Sequence, residues 1–496
     1  MRKPLSDPIV LTIASIIILE GASWLSFAYP ETALPLFFIV SLAVVSASVS
    51  GLEWGVSLAL IELMIGSLGT MLVLPIAGFD LTLRMVLWIA VLASWSMRFV
   101  FSRSREMLRP LFQKQFILLG AVILWGVVWG AARGNGAHQL IADVNNYFYY
   151  ALLLPAYAAA QNTRFIKQIP YVFLAAGAWV AGKTLMLYYV FSHELFGAQD
   201  VLYTWSRQAR LAEITNVDPQ LVLSRVFMQS QIWLVFGICV LLGCVYVMTL
   251  RKKGDASEKA ASAMPLLLVV FVSAIIASFS RSFWLAIGVS YVLMLAVLLV
   301  FMRERIRGAA SFGAVSVGIV ALAIALTVGI AQFPIPRGTS SAELIKGRAM
   351  KFSGESAISS RYAQIRPLLS AIKNHPILGS GFGTSVTYAS RDPRVQKDHP
   401  DGRYTTTAFE LGWLEMWLKI GLLGVFMYAY LLYAIIQKGW KKILPLPHES
   451  QERYLVLGSL IGLIAVAITH GISPYLNHPL GIGIVIVVSI VVDRKA

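Results

Sequence analysis

The chain has 496 residues, of which 57% are hydrophobic and only 13% are charged. A soluble domain carries about 25% charged residues, so the composition excludes an ordinary soluble protein. Runs of about 20 apolar residues recur along most of the sequence, and such runs are typical of a helical integral membrane protein.

The formal net charge of +16 does not indicate nucleic-acid binding in such a chain. Cytoplasmic loops of membrane proteins collect lysine and arginine, and part of the excess belongs to them. Cys239 and Cys244 lie in one apolar run, so we interpret both as buried apolar residues. The scattered histidines show no metal-binding spacing, and the sequence predicts neither a metal nor a cofactor.

We predict an all-α, polytopic membrane bundle with about fourteen spans. We predict that segment 8–28 is the first span rather than a signal peptide, because no small-residue cleavage site follows it. Segment 147–161 is short enough to be re-entrant instead. The predicted spans are 8–28, 34–50, 55–75, 82–99, 116–130, 147–161, 170–190, 231–250, 263–279, 283–302, 310–331, 410–436, 454–472 and 479–492.

Basic clusters give the predicted orientation, because they recur on one side of these spans. By the positive-inside rule that side is the cytoplasm, which also holds both termini. The clusters lie at 2–3, 98–114, 164–167, 251–253, 303–307, 438–442 and 494–495.

Two long segments, about 191–230 and 331–409, are predicted on the opposite side. The second holds 11 Lys and Arg against 5 Asp and Glu, which gives 11 − 5 = +6. This charge favours an outer surface that binds an anion, although an ordinary solvated basic loop is the alternative. We found no internal repeat, and we divide the chain into N-terminal membrane helices (1–220) and a second region (221–496) that contains this loop.

Within the loop, 359–374 has the apolar spacing of an amphipathic helix, which His375-Pro376 should end. Its apolar positions are Ile358, Ile365, Leu368, Leu369 and Ile372. The GSGFG sequence at 379–383 predicts a tight turn where the backbone approaches a neighbour or a ligand.

Three arginines are candidates for binding phosphate. Arg281 lies between two spans at the outer membrane boundary, Arg225 precedes the span near 231, and Arg361 begins the loop helix. Guanidinium groups bind phosphate oxygens through two parallel hydrogen bonds, so several of them suit a pyrophosphate. The alternative for each is an arginine that extends to lipid headgroups.

Glu410 opens the predicted span 410–436, and Glu415 lies five residues deeper. A carboxylate at the mouth of a membrane helix could act as a general base for a sugar hydroxyl. The alternative is an acid that balances the helix dipole.

Taken together, residues from about 220 to 490 resemble the bacterial O-antigen ligase and O-antigen polymerase family, which are membrane glycosyltransferases of the GT-C type. The resembling motifs are SFSRSFW at 278–284, Arg361 followed by IKNHPILGSGFGT at 372–384, and LEMWLKIGLLG at 414–424. Their order and the large outer loop also fit the family.

The resemblance implies a metal-independent, inverting transfer of a glycan from undecaprenyl pyrophosphate to a glycan, lipid or protein hydroxyl. It implies a bacterial inner-membrane protein with an extracytoplasmic active face that also contacts membrane lipids. The family's outer arginines hold the pyrophosphate, and this role falls on Arg281, Arg225 and Arg361.

The family has His-Asn eleven residues before the Gly of its GliG turn, and that His is taken as the base. Counting back from Gly421 gives Glu410, so Glu stands in place of His. Because the ligase branch is tied to the His, a polymerase is favoured over ligation to lipid A-core or to protein. His399 in the loop is the second candidate for the base.

A transporter or flippase of lipid-linked sugar is the rival from another class. A flippase is expected to line a central cavity with charges from many helices and to show repeat symmetry. The candidate charges gather at one predicted face, which favours an enzyme.

Overall fold

The computed structural model describes most of the chain, namely residues 8–76, 79–102, 112–195, 197–218, 221–250, 258–301, 306–334, 356–390, 393–399 and 401–493. Several predicted features lie outside these ranges. They are all or part of the basic clusters at 2–3, 98–114, 251–253, 303–307 and 494–495, and residues 335–355, 391–392 and 400 of the predicted outer loop.

Helices account for most of the described residues, because a segment in a bilayer satisfies its backbone polar groups only as a helix or a closed barrel. The α-helices are α1 (Pro8–Ala28), α2 (Ala33–Ser50), α3 (Leu52–Ile65), α4 (Leu83–Ser102), α5 (Gln113–Ala132), α6 (Ala137–Val144), α7 (Leu153–Ala160), α8 (Thr163–Ser192), α9 (Ala198–Gln208), α10 (Ile232–Leu250), α11 (Glu258–Ala277), α12 (Arg281–Ala296), α13 (Ile306–Gln332), α14 (Ser356–Asn374), α15 (Pro393–Asp398), α16 (Gly412–Ile443), α17 (Gln451–His470) and α18 (Pro479–Asp493). Tighter 3₁₀ segments occur at Pro30–Thr32, Asn145–Leu152 and Gln229–Gln231, and a π-helical turn at Val297–Phe301.

Short strands form antiparallel hairpins between the helices. The pairs are β1 (Val73–Ile76) with β2 (Phe79–Thr82), β3 (Glu213–Asp218) with β4 (Leu221–Phe227), and β5 (Val386–Ala389) with β6 (Arg403–Thr406). The last two hairpins lie in the segments predicted to be outside the cytoplasm. The strands are minor additions, and the predicted polytopic helical membrane fold is confirmed.

Within the described residues, ten helical segments are long and apolar enough to cross a bilayer, and 263–277 and 479–493 are shorter apolar helices. The count of fourteen therefore stays a prediction. Predicted span 55–75 is helical only in its first part, because α3 stops at Ile65 and the chain then turns into β1. Predicted span 147–161 is divided between a 3₁₀ segment and the eight-residue α7.

The chain forms two compact units, each made of three segments. The first comprises Met1–Pro110, Ala151–Leu344 and Leu446–Gly462. The second comprises Leu111–Tyr150, Ile345–Pro445 and Leu463–Ala496. The predicted division at residue 220 remains a prediction about sequence regions.

In the first unit, buried ion pairs join neighbouring helices. Glu20 of α1 pairs with Lys183 of α8, and Glu62 of α3 lies 2.8 Å from Arg84 of α4. Arg84 also donates a hydrogen bond to the Ser67 carbonyl at 3.1 Å. Charges in an apolar interior are stable only when they are paired, so these pairs fix which helices lie together.

In the second unit, α14 packs its apolar face on the start of α16. Leu368 and Ile372 of α14 are buried together with Phe409 and Leu418. The predicted amphipathic helix is therefore confirmed, and it ends immediately before His375-Pro376. Leu369 is 37% exposed and lies away from this core, which the spacing did not predict.

Candidate functional site

The glycine turn, residues 379–383, is bound on both sides by helices of the second unit. The Ser380 N–H donates to the Leu418 carbonyl of α16 at 2.7 Å. The Phe382 N–H donates to the Gly126 carbonyl of α5 at 3.0 Å. The predicted tight turn against a neighbour is thus confirmed, and the neighbour is helix backbone.

Two glycines permit this close packing. Gly381 has a φ of +85°, and a Cβ there would lie 2.4 Å from the Cα of Gly130 in α5. Gly421 interrupts α16 with φ 71° and ψ 178°, and the Leu422 N–H bonds instead to the Pro376 carbonyl at 3.0 Å. A side chain is disfavoured at both positive-φ positions, so the turn is a fixed anchor between α5 and α16.

A cluster of buried charges, Asp143, Glu415 and Lys419, adjoins the glycine turn. Lys419 Nζ lies 2.9 Å from Asp143 Oδ1 and 2.5 Å from Glu415 Oε1, and each side chain is at most 7% exposed. The Gly383 N–H donates to Asp143 Oδ2 at 2.8 Å. Lys419 is therefore the cation that both carboxylates share. Among the described residues, no group of three or more His, Cys, Asp or Glu side chains could hold a metal ion.

The sequence pointed to Glu415 but to neither of its partners. Glu415 and Lys419 are four residues apart, a spacing that pairs side chains on one face of a helix, and this pattern inside an apolar run was a usable signal. Asp143 is far away in sequence, so only the fold brings it to the cluster.

Glu410 lies two residues before α16 rather than inside it. The helix begins at Gly412 with Leu411 as its cap, and the Glu410 N–H donates to Gln364 Oε1 of α14 at 3.1 Å. Glu410 Oε2 lies 2.8 Å from Arg361 Nε, an ion pair without the directional geometry of a hydrogen bond. The two side chains are 39% and 28% exposed, so the carboxylate remains accessible to a substrate.

Arg361 and Glu410 were predicted separately, as a phosphate ligand and as a base. The structure brings them together through α14, which carries both Arg361 and Gln364 to the start of α16. The simple dipole-balancing alternative for Glu410 is weakened, because the acid in the first turn of α16 is Glu415.

His399, the second candidate for the base, is exposed just after α15. Its ring lies edge-on to that of Tyr404 in β6, with 5.7 Å between the ring centroids. It belongs to the same unit as Glu410 but is carried by a different element.

Arg225 and Arg281 both lie in the first unit, at the turn between α11 and α12. Arg225 of β4 donates from Nε to the Ser278 carbonyl at 3.1 Å, and its guanidinium lies 4.7 Å from the centroid of the Phe227 ring. Arg281 is the first residue of α12, three residues beyond Ser278. Two of the three predicted arginines are therefore joined through one turn, while Arg361 belongs to the second unit.

Comparison with known proteins agrees with the motifs. Residues 266–429 match the family model described as O-antigen ligase, a region that includes Arg281, Arg361, His399 and Glu410. No curated protein matches the chain. Residues 266–429 are therefore similar to the O-antigen ligase family, and the helical segments of membrane length among the described residues agree with a multi-pass membrane protein.

Proposed function

We propose that this chain is a membrane glycosyltransferase that moves a glycan from undecaprenyl pyrophosphate to an acceptor hydroxyl outside the cytoplasm. The acceptor we favour is a second lipid-linked glycan, which makes the chain a surface-polysaccharide polymerase. The observation that carries the proposal is the Glu410 side chain. It is 39% exposed, paired with Arg361, and stands at the position where the resembled enzymes have His.

Glu410 is the proposed base. The acceptor hydroxyl oxygen attacks the anomeric carbon of the donor sugar and forms the new glycosidic bond. The bond from that carbon to the pyrophosphate oxygen breaks, and the pyrophosphate leaves with the electron pair. The hydroxyl proton passes to the Glu410 carboxylate. Attack opposite to the leaving group inverts the anomeric configuration, and no metal takes part in the proposed step.

Arg361 is the proposed positioning residue for this carboxylate. Its Nε lies 2.8 Å from Glu410 Oε2, so an opposite charge faces the carboxylate. The contact also restricts the orientation of the carboxylate. A role of Arg361 at the pyrophosphate, which the resemblance implies, is compatible with this one because a guanidinium has five N–H donors.

Arg281 and Arg225 are the proposed ligands of the donor pyrophosphate. Both are guanidinium groups, and the Ser278 turn holds them in one region of the first unit. Charge-assisted hydrogen bonds from arginine to phosphate are about twice as strong as neutral ones, and the leaving pyrophosphate gains charge during the reaction.

The proposed orientation has both termini in the cytoplasm and 331–409 outside it. The support is the alternation of basic clusters along the sequence. In a background without Cys239 and Cys244, a cysteine at exposed Ser370 should react with an impermeant reagent from outside, and a cysteine at exposed Lys441 should not. The reverse pattern would invert the orientation.

Ligation is the second candidate function, and the description of the matching family as O-antigen ligase favours it. In that case the glycan passes to lipid A-core or to a protein hydroxyl. The proposed base and arginines would be the same, so the two functions differ only in the acceptor.

The test is transfer by purified protein in lipid nanodiscs. The donor is an undecaprenyl-pyrophosphate-linked glycan, supplied alone and then with lipid A-core or protein acceptors. Chain growth with the donor alone indicates a polymerase, and a product only with another acceptor indicates a ligase. Absence of any product, with correctly folded protein and intact donor, would contradict both functions.

A further inference from the structure

An open cavity of about 590 Å³ lies in the second unit. Its described lining comes from three places: the turn before α6 and its first residues, the end of the glycine turn, and the end of β6. The lining residues are Gly134, Asn135, Gly136, Gln139, Gly383, Thr384, Ser385, Thr405, Thr406 and Thr407. We call it the threonine cavity. Its volume falls within the range of about 300–1,000 Å³ that small-molecule sites occupy.

The lining of the threonine cavity is polar but uncharged. Among the described lining residues, four threonines and one serine contribute hydroxyl groups, and Asn135 and Gln139 contribute amides. Hydroxyl and amide groups can both donate and accept hydrogen bonds, as the hydroxyls of a sugar do. A pyrophosphate is held instead by arginine, lysine or a metal, and these lining residues include none of them.

Hydrogen bonds within the lining and to neighbouring residues hold the wall of the cavity in place. The Asn135 amide donates to the Phe382 carbonyl at 2.7 Å and to Thr384 Oγ1 at 3.1 Å. The Gly383 N–H donates to the buried Asp143, which is paired with Lys419. A wall supported by such contacts keeps its shape before a ligand arrives, and a preformed site loses less entropy on binding.

The cavity is also connected to the proposed base along the chain. Thr407 lines the cavity, and Glu410 follows three residues later, so the two Cα atoms are at most about 11 Å apart. Between them, Phe409 is 3% exposed and is fixed in the core with Leu368 and Leu418. A ligand in the cavity therefore lies next to the segment that carries the carboxylate.

We propose that the threonine cavity is a subsite for an uncharged sugar residue of the acceptor glycan. The proposal rests on the proposed function, because it assigns the acceptor a place beside its base. Bound there, the acceptor presents its hydroxyl towards Glu410 while the sugar is recognised by hydroxyl and amide groups.

Two variants test the subsite. Ser385→Trp places a large ring at an exposed cavity position, and Thr407→Val removes one hydroxyl with little change in shape. The matched control is Ser370→Trp, an exposed serine of α14 that does not line the cavity. The probes are the carrier-free oligosaccharide released by mild acid from the lipid-linked glycan, and undecaprenyl pyrophosphate without glycan.

Binding is measured by saturation-transfer NMR on protein in nanodiscs, in parallel with the KM for the acceptor in the transfer assay. We expect Ser385→Trp to weaken oligosaccharide binding and to raise the acceptor KM at least about tenfold, and Thr407→Val to do so by a few fold. Binding of undecaprenyl pyrophosphate should be unchanged in both, and Ser370→Trp should match the wild type in every measurement.

The outcomes separate this proposal from the proposed function. Wild-type protein that does not bind the oligosaccharide, or a Ser385→Trp variant that binds it normally, overturns the subsite even if transfer is observed. Oligosaccharide binding that is lost in Ser385→Trp, together with no transfer to any acceptor, supports the subsite as a sugar site and overturns the proposed function.

Discussion

Two carboxylates five residues apart on one segment have opposite environments. Glu415 is 7% exposed and lies 2.5 Å from Lys419, which also pairs with Asp143. Glu410 is 39% exposed and is held by Arg361 at 2.8 Å. The same functional group is closed off from solvent in one place and open to it in the other.

The difference indicates which carboxylate can take part in a reaction with a substrate. The charges around Glu415 are satisfied by one another, and removing one partner of a buried group is strongly destabilising. Its role is to join α6, the glycine turn and α16. Glu410 has a charged neighbour and an accessible surface, so an acceptor hydroxyl can reach it. The following predictions test this contrast.

The largest expected effect is on folding. Lys419→Met leaves two buried carboxylates without their cation, and such a loss costs about 3–5 kcal/mol. Lys438→Met is the matched control, because Lys438 in the same helix pairs with Asp493 at 2.9 Å but is 42% exposed. Exposed pairs contribute about 0–1 kcal/mol. We expect Lys419→Met to lose folded, monodisperse protein at a much lower temperature than Lys438→Met. Equal melting temperatures of the two variants would contradict the structural role of the cluster.

The next effect is on activity and concerns the first unit. Arg281→Ala should reduce transfer by about 30- to 4,000-fold, because truncating one partner of a charged contact costs about 2–5 kcal/mol. Arg281→Lys should be little more active than Arg281→Ala, since an ammonium group cannot form two parallel hydrogen bonds to phosphate. Melting temperature is the control for folding. Full transfer activity of a folded Arg281→Ala protein would contradict a role of Arg281 in binding the pyrophosphate.

A smaller effect is expected at the anchor of the glycine turn. A Cβ at Gly130 of α5 would lie 2.4 Å from the Phe382 carbonyl oxygen, whereas a Cβ at Gly120 of the same helix meets nothing within 4 Å. Gly130→Ala should cost about 1–3 kcal/mol through overpacking. Gly120→Ala should melt like the wild type. Identical melting of the two variants would show that the turn does not depend on this close contact.

The smallest effect on stability is expected at the exposed ion pair between Arg361 and Glu410. Arg361→Met breaks a half-exposed ion pair and should cost less than about 1 kcal/mol, far less than Lys419→Met. Transfer should nevertheless fall, because the carboxylate loses its positioning partner, and Arg361→Lys should recover part of it. An Arg361→Met variant that melts early and transfers normally would contradict this account, because it would give the Arg361–Glu410 pair a structural role and no catalytic one.

The sequence predicted the features that depend on local chemistry. The apolar period of 359–374 and the His375-Pro376 stop predicted α14, and the glycines of 379–383 predicted a close backbone approach. Hydropathy predicted the membrane fold, but it could not separate a true span from 55–75, where a short helix and a hairpin share one apolar run.

Contacts between residues that are far apart in the chain could not be predicted from the sequence. Asp143 meets Lys419 only through the packing of α5, α6 and α16. The Gln364 side chain accepts a hydrogen bond from the Glu410 N–H just before α16, a contact across 46 positions. The pairing of Arg361 with Glu410 likewise follows from tertiary packing, although both residues were candidates.

The central claim is that Glu410 is the base, and the most direct measurement is the single-turnover transfer rate of Glu410→Gln with saturating donor and acceptor. Glutamine keeps the shape but cannot accept the proton, so we expect a rate about 10²–10⁴-fold below the wild type with unchanged undecaprenyl pyrophosphate binding. His399→Ala, measured beside it, should transfer normally. A Glu410→Gln protein that turns over normally while His399→Ala is inactive would contradict the account and place the base in the loop.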